Sequence, residues 1–208
     1  MKRAIFIPLT AALLALGMTL ARGQRAPLTS EPPSAHLAES GYIVADGHAT
    51  PYLIRRLPVS SFPALPADIA SLLNQRGCMI PQTYEAHRPE NVVHAALERA
   101  GTTDWAVLCS VKGTVSLMIF FASAPDRPIV LAMALETDRL QDHESSPMLG
   151  FNWGIDPASP GRIHEAQTGM DHRPPMPDHD ALADSVVDHK TVYHFYSKGK
   201  WTLVDLPE

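Results

Sequence analysis

The chain has 208 residues and carries a formal net charge of −5 at pH 7 when its histidines are neutral. This length is typical of a single domain. The excess of acid argues against a nucleic-acid partner, because phosphate backbones are bound by clusters of Lys and Arg that release counterions.

The first 23 residues are predicted to be a cleavable secretory signal peptide. Lys2 and Arg3 form a basic start, residues 4–20 form an apolar run, and small residues lead up to Gly23, which is the order found in such signals. A membrane anchor is the alternative, but Pro8 interrupts the run, which barely reaches the roughly 18 to 20 residues of a spanning helix. We therefore expect cleavage after Gly23, a periplasmic or extracellular location, and no stable membrane anchor on the mature chain.

The two cysteines, Cys78 and Cys109, both belong to the part expected to be exported. In an oxidising compartment such a pair indicates one structural disulfide. The bond would close a loop of about 30 residues, for which the chain-entropy model gives roughly 3 to 4 kcal/mol of stabilisation. A two-cysteine metal site is the alternative, and it is disfavoured because no paired CxxC ligands accompany it.

The N-terminal part of the mature chain is predicted to have little regular structure. Residues 24–40 are rich in Pro, Ser and Ala, which predicts a disordered or extended leader. Two short edge strands are expected at residues 41–44 and 52–54. A helix is expected at residues 67–77, because Pro66 precedes apolar residues at helical spacing and a glycine ends them.

The middle of the chain contains the densest strand signals. Residues 105–109 and 114–121 are short and rich in β-branched and aromatic side chains, and Lys112-Gly113 between them is typical of a hairpin turn. Residues 91–100 are compatible with either a helix or a strand. If they form a strand, the three segments make an antiparallel meander.

The last third of the chain is predicted to contain more loop than strand. A further strand is expected at residues 129–135. Residues 137–179 are dominated by Pro, Gly, Asp and His and are predicted to be a long loop with brief strands at residues 151–155 and 162–164.

A hairpin with strands at residues 191–196 and 201–205 is predicted to close the chain. Together these elements predict an α+β fold that is mainly β. It would consist of an antiparallel sheet of hairpins, one short helix stapled by the Cys78–Cys109 disulfide, and a long loop rich in Pro and His. Residues 41–208 are expected to form this single disulfide-containing domain.

One hairpin resembles a known repeat. Gly101, Asp104, Ala106, Val107 and Leu108 match the "G-x-x-D-x-A-V-L" run of FG-GAP and integrin-like β-propeller repeats. The calcium-binding members carry several acids in the preceding loop, and this loop lacks them, so the resemblance does not extend to calcium.

Four motifs resemble those of an uncharacterised group of exported bacterial proteins. They are GCMIPQ at residues 77–82, DWAVLCS at 104–110, PDHDALADS at 177–185 and YSKGKW at 196–201. The resemblance implies the exported compartment, the cysteine pair and the strands, and it implies no known activity.

Residues 172–189 contain the strongest candidates for chemistry. His172, His179 and His189 each follow an Asp, with Asp180 and Asp184 between them, and imidazole and carboxylate groups are the ligands of zinc and similar ions. Their spacing is looser than that of a HExxH motif. The alternative is that these residues form turns and cap backbone amides on a solvated loop.

No other segment has the pattern of a catalytic or cofactor site. A G-x-S-x-G nucleophile elbow and a glycine-rich phosphate loop are both absent from the sequence. We therefore predict no catalytic residue, no metal ligand and no cofactor. The leading hypothesis is an exported, non-catalytic binding or interaction module with an unknown protein or small-molecule partner. The alternative is a divalent-metal-dependent hydrolase that uses residues 172–189.

Overall fold

A computed structural model describes residues 38–144 and 146–207 of the chain. The predicted signal peptide, residues 1–23, lies outside the described residues, as does the predicted leader up to residue 37. The first described strand begins at Ala38, so the last three residues of the predicted leader, residues 38–40, belong to a strand and the prediction is wrong there.

The described residues form thirteen strands and two α-helices, so the prediction of a mainly β fold is confirmed. The helices are α1 (Ala67–Gln75) and α2 (Pro160–Ala166). The strands are β1 (Ala38–Ala45), β2 (His48–Pro58), β3 (Met79–Gln82), β4 (Val92–Ala95), β5 (Asp104–Val111), β6 (Thr114–Phe120), β7 (Ile129–Leu135), β8 (Leu140–His143), β9 (Ser146–Phe151), β10 (Trp153–Ala158), β11 (Ala181–Val186), β12 (Lys190–Ser197) and β13 (Lys200–Leu203).

The strands form two sheets, where the sequence predicts a single one. The larger sheet has the order β7-β6-β5-β3-β2-β9-β8, with β1 also paired to β2 and β4 to β5. The smaller sheet has the order β10-β11-β12-β13. All pairs are antiparallel except β2 and β9, which run parallel. Because β2 contacts β1, β3 and β9, residues 52–54 do not form the edge strand that the sequence predicts.

The predicted hairpins are confirmed by their turn geometry. Residues 91–100, for which the sequence leaves helix and strand open, contain β4, and β4, β5 and β6 form the expected meander. Lys112 and Gly113 have φ values of 51° and 80°, and Lys198 and Gly199 have 51° and 79°. Positive φ at both central residues gives a type I′ turn, whose twist matches that of the flanking strands.

The predicted long loop over residues 137–179 is wrong in its first two thirds, except that the brief strand predicted at residues 151–155 overlaps the end of β9 and the start of β10. The structure places β8, β9, β10 and α2 there. Pro157 does not break β10, because β10 is an edge strand and such strands tolerate Pro. The predicted strand at residues 162–164 is helical, since Ser159 caps α2 by accepting a hydrogen bond from the Arg162 N–H and Pro160 occupies the first turn.

Three apolar clusters arrange the elements in four layers. The largest lies between the two sheets and includes Leu108 and Leu117 from one and Ile155 and Leu182 from the other. A second packs α1 against the opposite face of the larger sheet. A third packs α2 against the outer face of the smaller sheet. The larger sheet is therefore covered on both faces, which explains why β5 and β6 are apolar almost throughout.

The predicted disulfide between Cys78 and Cys109 is confirmed, with the two Cα atoms 5.3 Å apart. Cys78 follows α1 and Cys109 lies in β5, so the bond fastens the helix to the sheet. Both residues are buried in the cluster between these elements. No helix among the described residues is long and apolar enough to cross a bilayer.

Asn91 connects the two sheets through its side-chain amide. Its Nδ2 donates to Pro81 O at 2.8 Å and to Trp153 O at 3.1 Å, and its Oδ1 accepts from the Ile155 N–H at 3.1 Å. Asn91 is buried, so these bonds are shielded from water. Its φ of 68° lies in the left-handed region, which Asn tolerates better than most residues.

Replacing Asn91 by Ala is expected to lower the free energy of unfolding by about 3 to 5 kcal/mol, because it leaves several buried backbone groups without partners. Urea denaturation of the purified protein measures this change. Asn74→Ala, on the exposed side of α1, is the matched control and should change stability by less than about 0.5 kcal/mol. Equal midpoints for the two variants would show that the amide contributes nothing to sheet docking.

Candidate functional site

The predicted metal tract does not assemble into a site. His172 and His189 are both exposed, in the segment after α2 and in the turn between β11 and β12, whereas His179 is buried. Within residues 38–144 and 146–207, no three His, Cys, Asp or Glu side chains are grouped so that they could hold a metal ion. The structure therefore gives no support to a metal centre built from this tract.

His179 has both ring nitrogens engaged by the protein. Its Nδ1 lies 2.6 Å from Asp178 Oδ1, and its Nε2 lies 2.8 Å from Tyr196 O. The ring packs against Phe195, with 4.5 Å between centroids. The hydrogen bond with His179 lowers the pKa of the exposed Asp178 carboxyl. These contacts hold the segment before β11 against β12.

The acids of the tract also bind elements together. Asp180 Oδ2 accepts a hydrogen bond from the Ala96 N–H at 3.0 Å. Asp184 Oδ1 accepts from Trp153 Nε1 at 2.7 Å, and its Oδ2 lies 3.2 Å from His194 Nε2. These contacts agree with the alternative interpretation of the tract, in which its Asp side chains satisfy nearby donors.

A cleft of about 910 Å³ opens where β8, the segment after β3 and the turn between β11 and β12 meet. We call it the Tyr84 cleft, after one of the residues that line it. The described residues that line it include no Lys or Arg. They are Tyr84, Gln141, the carboxylates Glu85, Asp142, Glu144 and Asp188, and the imidazoles His87, His143 and His189.

The Tyr84 hydroxyl is fixed by two hydrogen bonds. It donates to Asp188 Oδ2 at 2.8 Å and accepts from Gln141 Nε2 at 2.8 Å. Burial and then the hydrogen bond to Asp188 raise the pKa of Tyr84 to about 12. The phenol is therefore protonated at neutral pH and serves as a hydrogen-bonding group rather than a base.

The ring of Tyr84 stacks on that of His143, with centroids 4.3 Å apart and planes inclined by 6°. Gly150, in β9, lies beneath this pair. A Cβ at Gly150 would collide with the Tyr84 Cβ and approach the His143 Nε2 to 3.0 Å. The stack thus depends on the missing side chain, a close-approach role that only Gly can fill.

The side chain of Gln141 is fixed by further hydrogen bonds. Its Oε1 accepts from Asn152 Nδ2 at 2.9 Å, and its Nε2 also donates to Val187 O at 3.0 Å. Asn152 in turn bonds through its backbone to Arg139 and Val187. Gln141, which lies in the larger sheet, is therefore held by hydrogen bonds to Asn152 and to Val187 at the end of the smaller sheet.

Sequence reasoning missed this cleft. Tyr84 and Asp188 are 104 residues apart in sequence, and neither belongs to a motif of fixed spacing. Of the candidate ligands predicted in the tract, His189 alone lines the cleft, next to Asp188. A local pattern cannot identify a site whose members meet only through the packing of two sheets.

Comparison with known proteins gives no match. No protein-family model matches the chain, and no curated protein or solved structure is significantly similar to it. The resemblances to FG-GAP repeats and to an exported bacterial group therefore stay predictions. Asp104, the acid of the FG-GAP-like run, is buried and accepts hydrogen bonds from the Glu98 and Ala122 N–H groups, so it fastens the hairpin loop.

Replacing Gly150 by Ala is expected to lower the free energy of unfolding by about 1 to 3 kcal/mol, because the added methyl group overpacks the Tyr84–His143 stack. Thermal unfolding followed by circular dichroism measures the change. Gly161→Ala is the matched control, since a Cβ added at that position would meet nothing within 4 Å and a helical Ala is favourable. Equal losses in both variants would mean that the stack is not tightly packed.

The raised pKa of Tyr84 predicts a pH effect on stability. An unfolded tyrosine loses its proton near its ordinary pKa of 10.0, whereas the folded one keeps it to about 12. The stability that Tyr84 contributes to the fold is therefore fully present below the unfolded-state pKa of 10.0. It is lost as the pH rises through the folded-state pKa of about 12. Wild type should lose stability relative to Tyr84→Phe across this window in urea denaturation. If the difference in the free energy of unfolding between the two proteins does not change with pH, the raised pKa of Tyr84 is contradicted.

Proposed function

We propose that the chain is an exported, non-catalytic binding protein of the periplasm or cell envelope, and that the Tyr84 cleft is its ligand site. Two features support export. Residues 1–23 have a basic start and an apolar run in the order that is typical of a signal peptide, and the Cys78–Cys109 disulfide is consistent with an oxidising compartment.

The observation that carries the binding role is that side chains lining the cleft are already held in place by contacts within the protein. Tyr84, Gln141 and Asp188 are joined in one hydrogen-bond network, and the Tyr84 ring is stacked on His143. Groups that are already ordered lose little entropy on binding, which favours affinity. A concave surface with a few fixed polar groups and an aromatic face is the common form of a small-molecule site.

The negative charge of the residues that line the cleft indicates which class of ligand it binds. Four carboxylates line it, and the described lining residues supply no Lys or Arg to balance them. A cation is therefore favoured over an anion, and amines or guanidinium groups can bind carboxylates through charge-assisted hydrogen bonds. The same groups can lie over an aromatic face such as that of Tyr84. We infer a small organic cation as the ligand.

Isothermal titration calorimetry with agmatine, which carries both an amine and a guanidinium group, tests this function. Agmatine is expected to bind the mature protein, while succinate and glucose are not. Asp188→Asn should weaken binding by about tenfold or more, because it removes the negative charge of the lining carboxylate that accepts from the Tyr84 hydroxyl. High salt should also weaken binding, because the carboxylates are open to solvent.

The matched control is Asp46→Asn. Asp46 occupies a turn position with positive φ, as Asp188 does, but it lies between β1 and β2 and does not line the cleft. It should leave agmatine binding unchanged. Equal binding of agmatine, succinate and glucose, or no binding of any of them, would reject the cleft as a cation site. Mass spectrometry of the exported protein checks separately for cleavage after Gly23.

A further inference from the structure

A second depression lies beside the last strand of the smaller sheet. β13 ends this sheet, and among the described residues no strand pairs with its outer edge. The depression is lined by residues 174–178, by Gln167 at the end of α2, and by Phe195 and residues 202–205 of the last two strands and the segment that follows them. The space has a volume of about 460 Å³. We call it the β13 groove, and it shares no lining residue with the Tyr84 cleft.

The backbone of β13 presents hydrogen-bonding groups to the outside. The Val204 N–H donates to Tyr193 O at 2.8 Å, so the polar groups of Val204 face β12. Because these groups alternate in direction along a strand, the N–H and C=O of Leu203 point to the outer edge. Asp205 follows the same alternation, and its carbonyl accepts from Gln167 Nε2 at 3.0 Å.

Gln167 has a buried acceptor that no described residue satisfies. The residue is 1% exposed, and its Oε1 has no hydrogen-bond partner among the described residues. A buried polar atom without a partner costs free energy. Since Gln167 lines the groove, a donor entering there would supply the missing bond.

The rim of the groove is apolar and acidic. Met176 and Leu203 are 52% and 62% exposed, which is high for large apolar side chains. Asp178 and Asp205 are the only charged residues among those described that line the groove. The complementary occupant has apolar side chains for the rim, basic side chains for the two carboxylates, and backbone groups for the strand edge.

We propose that the β13 groove binds an extended segment of a partner protein, which adds to the smaller sheet as a fifth strand. Backbone groups of the segment pair with Leu203, and Lys or Arg side chains lie near Asp178 and Asp205. An N–H of the segment donates to Gln167 Oε1. An open strand edge is the usual site of such strand addition.

Three peptides of equal length test the proposal by fluorescence anisotropy with the mature protein. The first alternates Lys and Val, the second alternates Glu and Val, and the third repeats the first with alternate backbone amides methylated. Only the first is expected to bind, because the second has the wrong charge and the third cannot form the strand hydrogen bonds. Equal binding of the first and third peptides would overturn strand addition.

Variants of the protein locate the binding site. Leu203→Pro removes an outward N–H without touching the bonds to β12, and should abolish binding of the Lys/Val peptide. The double variant Asp178→Asn and Asp205→Asn should weaken binding by about tenfold, and it provides a second test if the Pro variant is unstable.

Asp188→Asn distinguishes this groove from the Tyr84 cleft. It should leave binding of the Lys/Val peptide unchanged even where it weakens binding of agmatine, so the two proposals can fail independently. Loss of peptide binding in Asp188→Asn, with no loss in the groove variants, would overturn the assignment of the peptide to the β13 groove. So would an absence of binding by the Lys/Val peptide.

Discussion

The hydrogen bonds of Asn91 determine where the second sheet lies against the first. A single amide group contacts the backbone of Pro81 on one side and of Trp153 and Ile155 on the other. Hydrogen bonds of this kind are directional, whereas the apolar contacts between the sheets are not. The amide therefore selects one register among the many that the apolar cluster would allow. The turn after β11, which carries Asp188, takes its position from this register.

Acidic side chains close several of the loops in this protein. Asp104 and Asp180 each accept hydrogen bonds from backbone N–H groups in the segment between β4 and β5. Glu136 is buried and accepts from Arg56 and Ser110, which joins the short helical turn after β7 to β2 and β5. These carboxylates therefore stabilise the fold through hydrogen bonds. The carboxylates of the Tyr84 cleft differ because they face an open space.

Local chemistry accounts for the parts of the fold that could be predicted. The turns at Lys112-Gly113 and Lys198-Gly199 are encoded by adjacent residues, and α1 is encoded by one apolar face. The continuation of β10 through Pro157 could not be predicted, because an edge strand accepts Pro and only the sheet order shows that β10 lies at an edge. The Tyr84 cleft could not be predicted either, since it requires Tyr84 and Asp188 to meet across two sheets.

The disulfide also has a consequence for the order of assembly. The loop that Cys78 and Cys109 close contains Asn91, whereas all of the smaller sheet follows in sequence. In a chain that crosses a membrane from its N-terminus, both cysteines arrive before β10. If the chain is exported as proposed, oxidation can restrict the segment around Asn91 before the smaller sheet has crossed the membrane. The first half of the protein would act as a template on which the second half docks as it emerges.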